Sequence, residues 1–263
     1  MGGPRNVFAR RSATTDPMTE PRNETAGQVG PPASEPHARS RRIVSVAPVF
    51  PTRRRPERGA FLASLAREIS QQAAGLDIVA PRSIPTAVAD LFRARVHGPA
   101  LQFPFRVVRP WYISFSTGIF GAGPMITWLG GASFRAGVTT GLRSCSPSPD
   151  WVYCHFFFSA LAAQRWSRRF RIPYVVELQE SGIRQQLMPY GAATVRAVLT
   201  EALCVVTVSR DNERFCLEID PGLAARIEYI PNAVDLRAFR PLPRSHSPYR
   251  AISFNSKPEP VQR

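Results

Sequence analysis

The pattern of apolar and polar positions changes sharply at Ile43. Residues 1–42 carry no hydrophobic periodicity and are rich in Pro, Gly, Ser, Thr, Arg and Glu, which predicts a disordered leader. No apolar run follows the early arginines, so a secretory signal is not predicted; a misassigned start upstream of Met18 is the alternative. From Ile43 onward, short β-branched runs alternate with helical patterns. Ile43-Val44-Ser45-Val46-Ala47 suits a buried parallel strand. Residues 59–69 predict a helix with Phe61, Leu62, Leu65 and Ile69 on one face, stopped by Gly75. Residues 76–81 predict a second strand, which completes a β-loop-α-β unit.

Residues 82–110 are less regular, with one short strand within 103–110. Residues 111–134 contain no charge, but six Gly or Pro positions break them up. A buried or interfacial helix around 122–142 is predicted there rather than a membrane span, with a membrane-facing apolar loop allowed. The repeat then becomes clearer: strand 150–155, helix 158–170, strand 174–178, helix 190–202, strand 203–209, helix 210–218 and strand 227–230. Strands alternating with helices at this spacing predict an α/β fold, a Rossmann-like doubly wound parallel sheet.

The chain has 263 residues, 44% of them hydrophobic, enough for one sizeable core. The formal net charge is +15, and Lys257 is the one lysine among 34 cations. The excess is uneven: residues 1–171 sum to +14, 172–241 to −2 and 242–263 to +3. No reading module concentrates these cations, so nucleic acid is not an expected partner. A solvated surface is the plainer reading of the charge, and a membrane surface or a phosphorylated ligand the sharper one. Residues 82–143 sum to +6 around the uncharged stretch, which raises peripheral membrane contact. Four cysteines without a CxxC pair argue against a disulfide scaffold or a structural zinc site.

In such sheets ligands bind at the carboxyl ends of the strands. Here those ends carry residues 51–59, His155, residues 179–182, Ser209-Arg210 and residues 231–235. These same residues carry a resemblance. The Pro-x-Phe-Pro after the first strand, with Glu57-Arg58-Gly59-Ala60-Phe61 opening a helix, is similar to the first loop of family-4 glycosyltransferases. Asp150-Trp151-Val152-Tyr153-Cys154-His155-Phe156 resembles their PDVIHAHF segment. Residues 172–178 resemble GIPYVVTLH or its VVEVRD variant, and Val206-Thr207-Val208-Ser209 resembles VIAVSE. Ile230-Pro231-Asn232-Ala233-Val234-Asp235, running on to Phe239 and Pro241, is similar to IPNGVDxxxFxP.

The resemblance implies the amino-terminal, acceptor-side half of a GT-B fold over residues 43–241. Residues 242–263 are then a tail or truncated linker, and the donor-binding domain is expected to be missing. It implies transfer of a sugar from a nucleotide-sugar donor to a glycan or lipid-linked acceptor, in cell-envelope or polysaccharide synthesis, with no metal or other cofactor. Little activity is expected of half a cleft, so a donor-domain partner chain, a split enzyme or a non-catalytic glycan-binding module are the rivals. The expected location is cytoplasmic, with peripheral contact at the inner face of the plasma membrane.

Gly59 at a helix start lets backbone N–H groups approach a phosphate, and Arg58 beside it can pair a phosphate bidentately. By the resemblance, His155 is the candidate catalytic residue, hydrogen-bonding the donor sugar or an acceptor hydroxyl. A satisfied structural histidine is its plainer reading. Glu180 falls where the VRD variant places its aspartate. Ser209, Arg210 and Asn232 complete the predicted binding residues, although shaping the turn between domains is the plainer reading of Asn232 and Asp235. Gln179 and Ala233 depart from the family pattern.

Overall fold

Two-sided burial explains the strands. In β1 (Arg42–Val46), Ile43 faces one core cluster while Val44 and Val46 face another. A strand so placed needs apolar side chains on both faces, which is why its sequence runs without polar alternation. The computed structural model describes residues 41–92, 101–114, 124–145 and 147–232. The predicted leader up to Ser40, Asp235 and the tail lie outside these, and Arg42 already belongs to β1.

The chain continues through α1 (Ala60–Gln72), β2 (Gly75–Val79), β3 (Arg82–Ser83), α2 (Ile84–Leu91), β4 (Arg106–Val108) and β5 (Trp111–Tyr112). It goes on through α3 (Pro124–Ser144), β6 (Trp151–His155), α4 (Phe157–Phe170), β7 (Tyr174–Leu178) and α5 (Ile183–Leu187). Last come α6 (Ala192–Glu201), β8 (Cys204–Thr207), α7 (Arg210–Ile219) and β9 (Ile227–Tyr229). Seven strands form one parallel sheet in the order β4-β2-β1-β6-β7-β8-β9. β3 and β5 form a small parallel pair of their own. One core cluster joins α1 to β1 and β2; the other joins α3, α4, α6 and α7 to the opposite face. The sheet is therefore doubly wound and Rossmann-like.

The structure corrects several local expectations. The buried face of α1 is Leu62, Ala63 and Ala66, while Phe61 is half exposed. Small alanines let α1 lie close to the sheet, so its stripe is rotated from the one the large residues suggest. Gly75 opens β2 instead of ending α1, which is capped at Ala73. The irregular region holds β3, α2 and β5, and α5 also went unpredicted; all four are eight residues or shorter. The helix expected over 122–142 is α3. Gly141 lets it approach the sheet, since a Cβ there would lie 2.4 Å from Val79 Cγ1. No helix among the described residues is long and apolar enough to cross a membrane.

Candidate functional site

β1 lies between β2 and β6, and the chain winds outward from it in both directions. The carboxyl ends of β1 and β6 therefore flank the switch point, where this topology leaves a crevice. β6 ends there in His155, which is 2% exposed. The register places His155 opposite Glu177 of β7, and His155 Nδ1 lies 2.5 Å from Glu177 Oε2. Burial pushes the Glu177 carboxyl up, but the hydrogen bond and charge of His155 outweigh it and hold the carboxyl below its ordinary range. An ionised Glu177 accepts from Nδ1–H and fixes the ring's orientation. Nε2 is then the nitrogen left for a ligand.

The next residue, Phe156, has φ 67° and ψ 150°. A side chain rarely adopts that conformation, and holding it costs about 1–3 kcal/mol. The reward is an abrupt turn from β6 into α4. Phe156 N–H still donates to Glu177 O, and Phe156 O accepts from Ser159 and Ala160. At the first turn of α4, Phe157 N–H donates to Glu180 Oε1 at 2.6 Å. Glu180 is 6% exposed, and its other oxygen has no hydrogen-bond partner. Burial raises the Glu180 carboxyl above its ordinary range, with the Phe157 amide opposing. The Gln179 side-chain amide is likewise buried and unpartnered. Glu180 and Gln179 line a depression of about 620 Å³ between the ends of β7 and β8.

The other side of the switch point is cationic. Gly59 has φ 73°, and a Cβ there would lie 2.3 Å from Val49 O. Close backbone packing is enough to require this glycine. Arg58 is exposed beside it. Arg55 pairs with buried Asp90, Nε to Oδ1 2.7 Å. Arg109 donates to Pro51 O and lies over the Phe50 ring, and Arg82 lies over Trp111. Burial, then the Arg82 charge, lowers the Arg109 pKa from its ordinary value.

A family profile described as a glycosyl transferase 4-like domain matches residues 59–233. The chain belongs to the glycosyl transferase 4-like domain family. No curated protein matches it. The sucrose-phosphate synthase of Thermosynechococcus elongatus is similar in structure, with TM-score 0.52 and 13% identity, covering 77% of this chain and 50% of the other. The trehalose-6-phosphate phosphatase N-terminal domain of Candida albicans has TM-score 0.50 and 12% identity, over 75% and 49%. At such identities the likeness shows the fold alone. The chain spans about half the length of these solved structures.

Within this glycosyl transferase 4-like domain, His155 ends β6 beside the switch point, and Glu180 follows β7 and is tied to the turn after His155 through Phe157 N–H, although His155 does not line the Glu180 depression. Ser209 lines the same depression as Glu180, but its hydroxyl caps α7 by accepting from Asn212 N–H at 3.2 Å. Arg210 turns away to Glu213 and the Tyr229 ring. Asn232 ends the described residues, exposed. Arg58 and Gly59 stand across the switch point on the cationic side. Sequence reasoning missed Glu177, Arg82, Arg109 and the Phe156 backbone. A carboxylate inside the apolar run Tyr174-Val175-Val176-Glu177-Leu178 was the available signal, since a buried charge demands a partner. Among the described residues, no cluster of three His, Cys, Asp or Glu has the geometry to hold a metal.

Proposed function

We propose that this chain is the acceptor-side half of a glycosyltransferase. It binds a glycan or lipid-linked acceptor at the carboxyl edge of the sheet, for transfer of a sugar from a nucleotide-sugar donor in cell-envelope or polysaccharide synthesis. The observation that carries this reading is the buried His155–Glu177 pair at the switch-point end of β6. In this reading His155 Nε2 engages the reacting hydroxyl, and Glu177 orients the ring and balances charge that develops on it. The unpartnered Glu180 oxygen and Gln179 amide supply hydrogen bonds to sugar hydroxyls.

The test is made in cells whose gene carries His155→Gln, so that any partner chain is present. Radiolabel from a panel of nucleotide sugars is followed into membrane and polysaccharide fractions. The expected result is at least a hundredfold loss of incorporation at unchanged protein level. Unchanged incorporation would overturn the reading. Glycan binding that survives in the purified chain while incorporation is unaffected would favour a non-catalytic binding module.

The acceptor side also suits peripheral contact with the inner face of the plasma membrane. Ile84, Val88, Leu91 and Phe92 fall on one side of α2 and are exposed, with Trp111 exposed and Arg82 stacked on it. Flotation with anionic liposomes should recover the wild type and lose Leu91→Glu. Recovery of both proteins only in the soluble fraction would count against membrane contact.

A further inference from the structure

The cationic side of the switch point holds a small cavity of about 60 Å³ at the ends of β1, β2 and β4. One water needs about 10–15 Å³ of such space, so the cavity has room for a compact group of several heavy atoms. Arg58, Arg82 and Arg109 all line it, and none has an acidic partner among the described residues. Asp90 also lines it, but its carboxylate is already engaged by Arg55. Thr86 and Tyr112 complete the wall with Ser83, whose hydroxyl is already engaged by Ser114 and by the Thr86 N–H.

Like charges are not gathered in a half-buried cavity without an energetic reason. Burial and the Arg82 charge both disfavour the charged form of Arg109, which nevertheless stays protonated, so its charge sits in the cavity uncompensated by any carboxylate among the described residues. A bound anion would compensate it. Guanidinium groups match the tetrahedral oxygens of phosphate through paired N–H donors, and hydroxyls add neutral ones. α2 also starts at this wall, and its dipole adds positive potential.

We infer that this cavity binds a phosphate group carried by the acceptor. The inference rests on the acceptor-side reading above and names the chemistry of that acceptor. β2 and β6 lie on either side of β1, so the cavity and His155 are two strand spacings apart, about 10 Å. An acceptor whose phosphate sits in the arginine cavity thus reaches His155 with a hydroxyl about one sugar ring away.

The same phosphate chemistry comes from a soluble sugar phosphate or from a lipid headgroup. Binding is therefore measured with inorganic phosphate, with glucose 1-phosphate, and with phosphatidylcholine vesicles with or without phosphatidic acid. The purified 263-residue chain is compared with Arg58→Gln/Arg82→Gln and with a remote pair of equal charge change, Arg143→Gln/Arg165→Gln. The expected result is binding of a phosphate probe that weakens at least tenfold in the first pair and less than twofold in the second. Binding confined to the soluble probes identifies a sugar phosphate; binding confined to phosphatidic acid vesicles identifies a lipid headgroup. No binding to any probe, or equal weakening in both pairs, would overturn the inference. If Arg82→Gln unfolds the chain, Arg58→Gln at its exposed position carries the test, with at least a threefold loss expected. These measurements need no sugar transfer. Their failure leaves the His155 reading standing, and a silent His155→Gln leaves the phosphate site standing.

Discussion

On the β2–β4 side of the sheet's carboxyl edge, Arg58, Arg82 and Arg109 stand with one carboxylate, already taken by Arg55. On the β6–β7 side, Glu177 and Glu180 stand with one histidine. The first side is half open, and its arginine heads lie over aromatic rings or in solvent. The second is buried, with hydrogen bonds at 2.5–2.6 Å holding Glu177 and one oxygen of Glu180, while the other Glu180 oxygen is left without a partner. Burial makes the difference. A charge left in water can be lost at little cost in stability, while a charge inside the sheet cannot lose its partner cheaply. The cationic side should therefore fail in binding when mutated, and the acidic side should fail in folding first.

The largest effect should come from Glu177→Ala. It strands His155 in a site 2% exposed, and losing one partner of a buried pair costs about 3–5 kcal/mol. Glu177→Gln retains an acceptor for Nδ1–H and should cost less, about 1–3 kcal/mol. Denaturant melts of the two variants separate charge from geometry. Glu177 also sets a pH dependence. Its folded pKa is depressed, so its contribution is present above the ordinary carboxylate value and is lost as pH falls toward the folded one. The Gln variant should lack that part of the acid sensitivity.

Gly59→Ala should come next, and it qualifies the contrast. A Cβ there meets Val49 O at 2.3 Å with φ at 73°, so a loss of about 3 kcal/mol is expected. The cationic side thus has one rigid point, and that point is backbone. An Ala variant as stable as the wild type would show that the loop after β1 gives way.

A smaller and two-signed effect should follow from Asp90→Asn. Asp90 is buried, and losing its pairing to Arg55 should cost about 1–2 kcal/mol. It also frees a fourth cation in the phosphate cavity, so binding of glucose 1-phosphate should tighten several-fold. Stability and binding moving in opposite directions would confirm that the carboxylate tempers this side. Both falling together would make Asp90 a scaffold of the cavity.

How much of this was legible follows from what each feature depends on. The sheet was readable because runs such as Tyr174-Val175-Val176-Glu177-Leu178 are buried on both faces and show it as near-continuous apolarity, broken there by Glu177 alone. His155 and Glu180 were readable because they sit at strand ends, where a polar residue interrupts that pattern. The pairing of His155 with Glu177 depends on register between β6 and β7, which no local spacing contains. The arginine cavity joins residues from three separate segments, and in the sequence those arginines look like the other cations. β3, α2 and β5 were missed because two- to eight-residue elements carry too few periods to read.

The smallest effect, Glu180→Gln, tests the acidic side where it is weakest. Glu180 caps α4 through Phe157 N–H, yet its other oxygen has no partner, and burial raises its pKa. A carboxyl with a raised folded pKa binds more protons folded than unfolded. Its stability is therefore full below the ordinary carboxylate value and falls as pH rises through the folded value. Gln keeps the oxygen that caps α4 and removes the charge. At neutral pH the variant should be more stable than the wild type, by about 0.5–1 kcal/mol, the usual gain when an unfavourable site group is removed. The gain should vanish in acid, where the wild-type carboxyl is protonated. If sugar incorporation falls in the same variant, the chain holds a destabilising carboxylate at its crevice for its use on a ligand. If incorporation is untouched and the gain is absent at every pH, Glu180 is a helix cap alone, and the acidic side reduces to the His155–Glu177 pair.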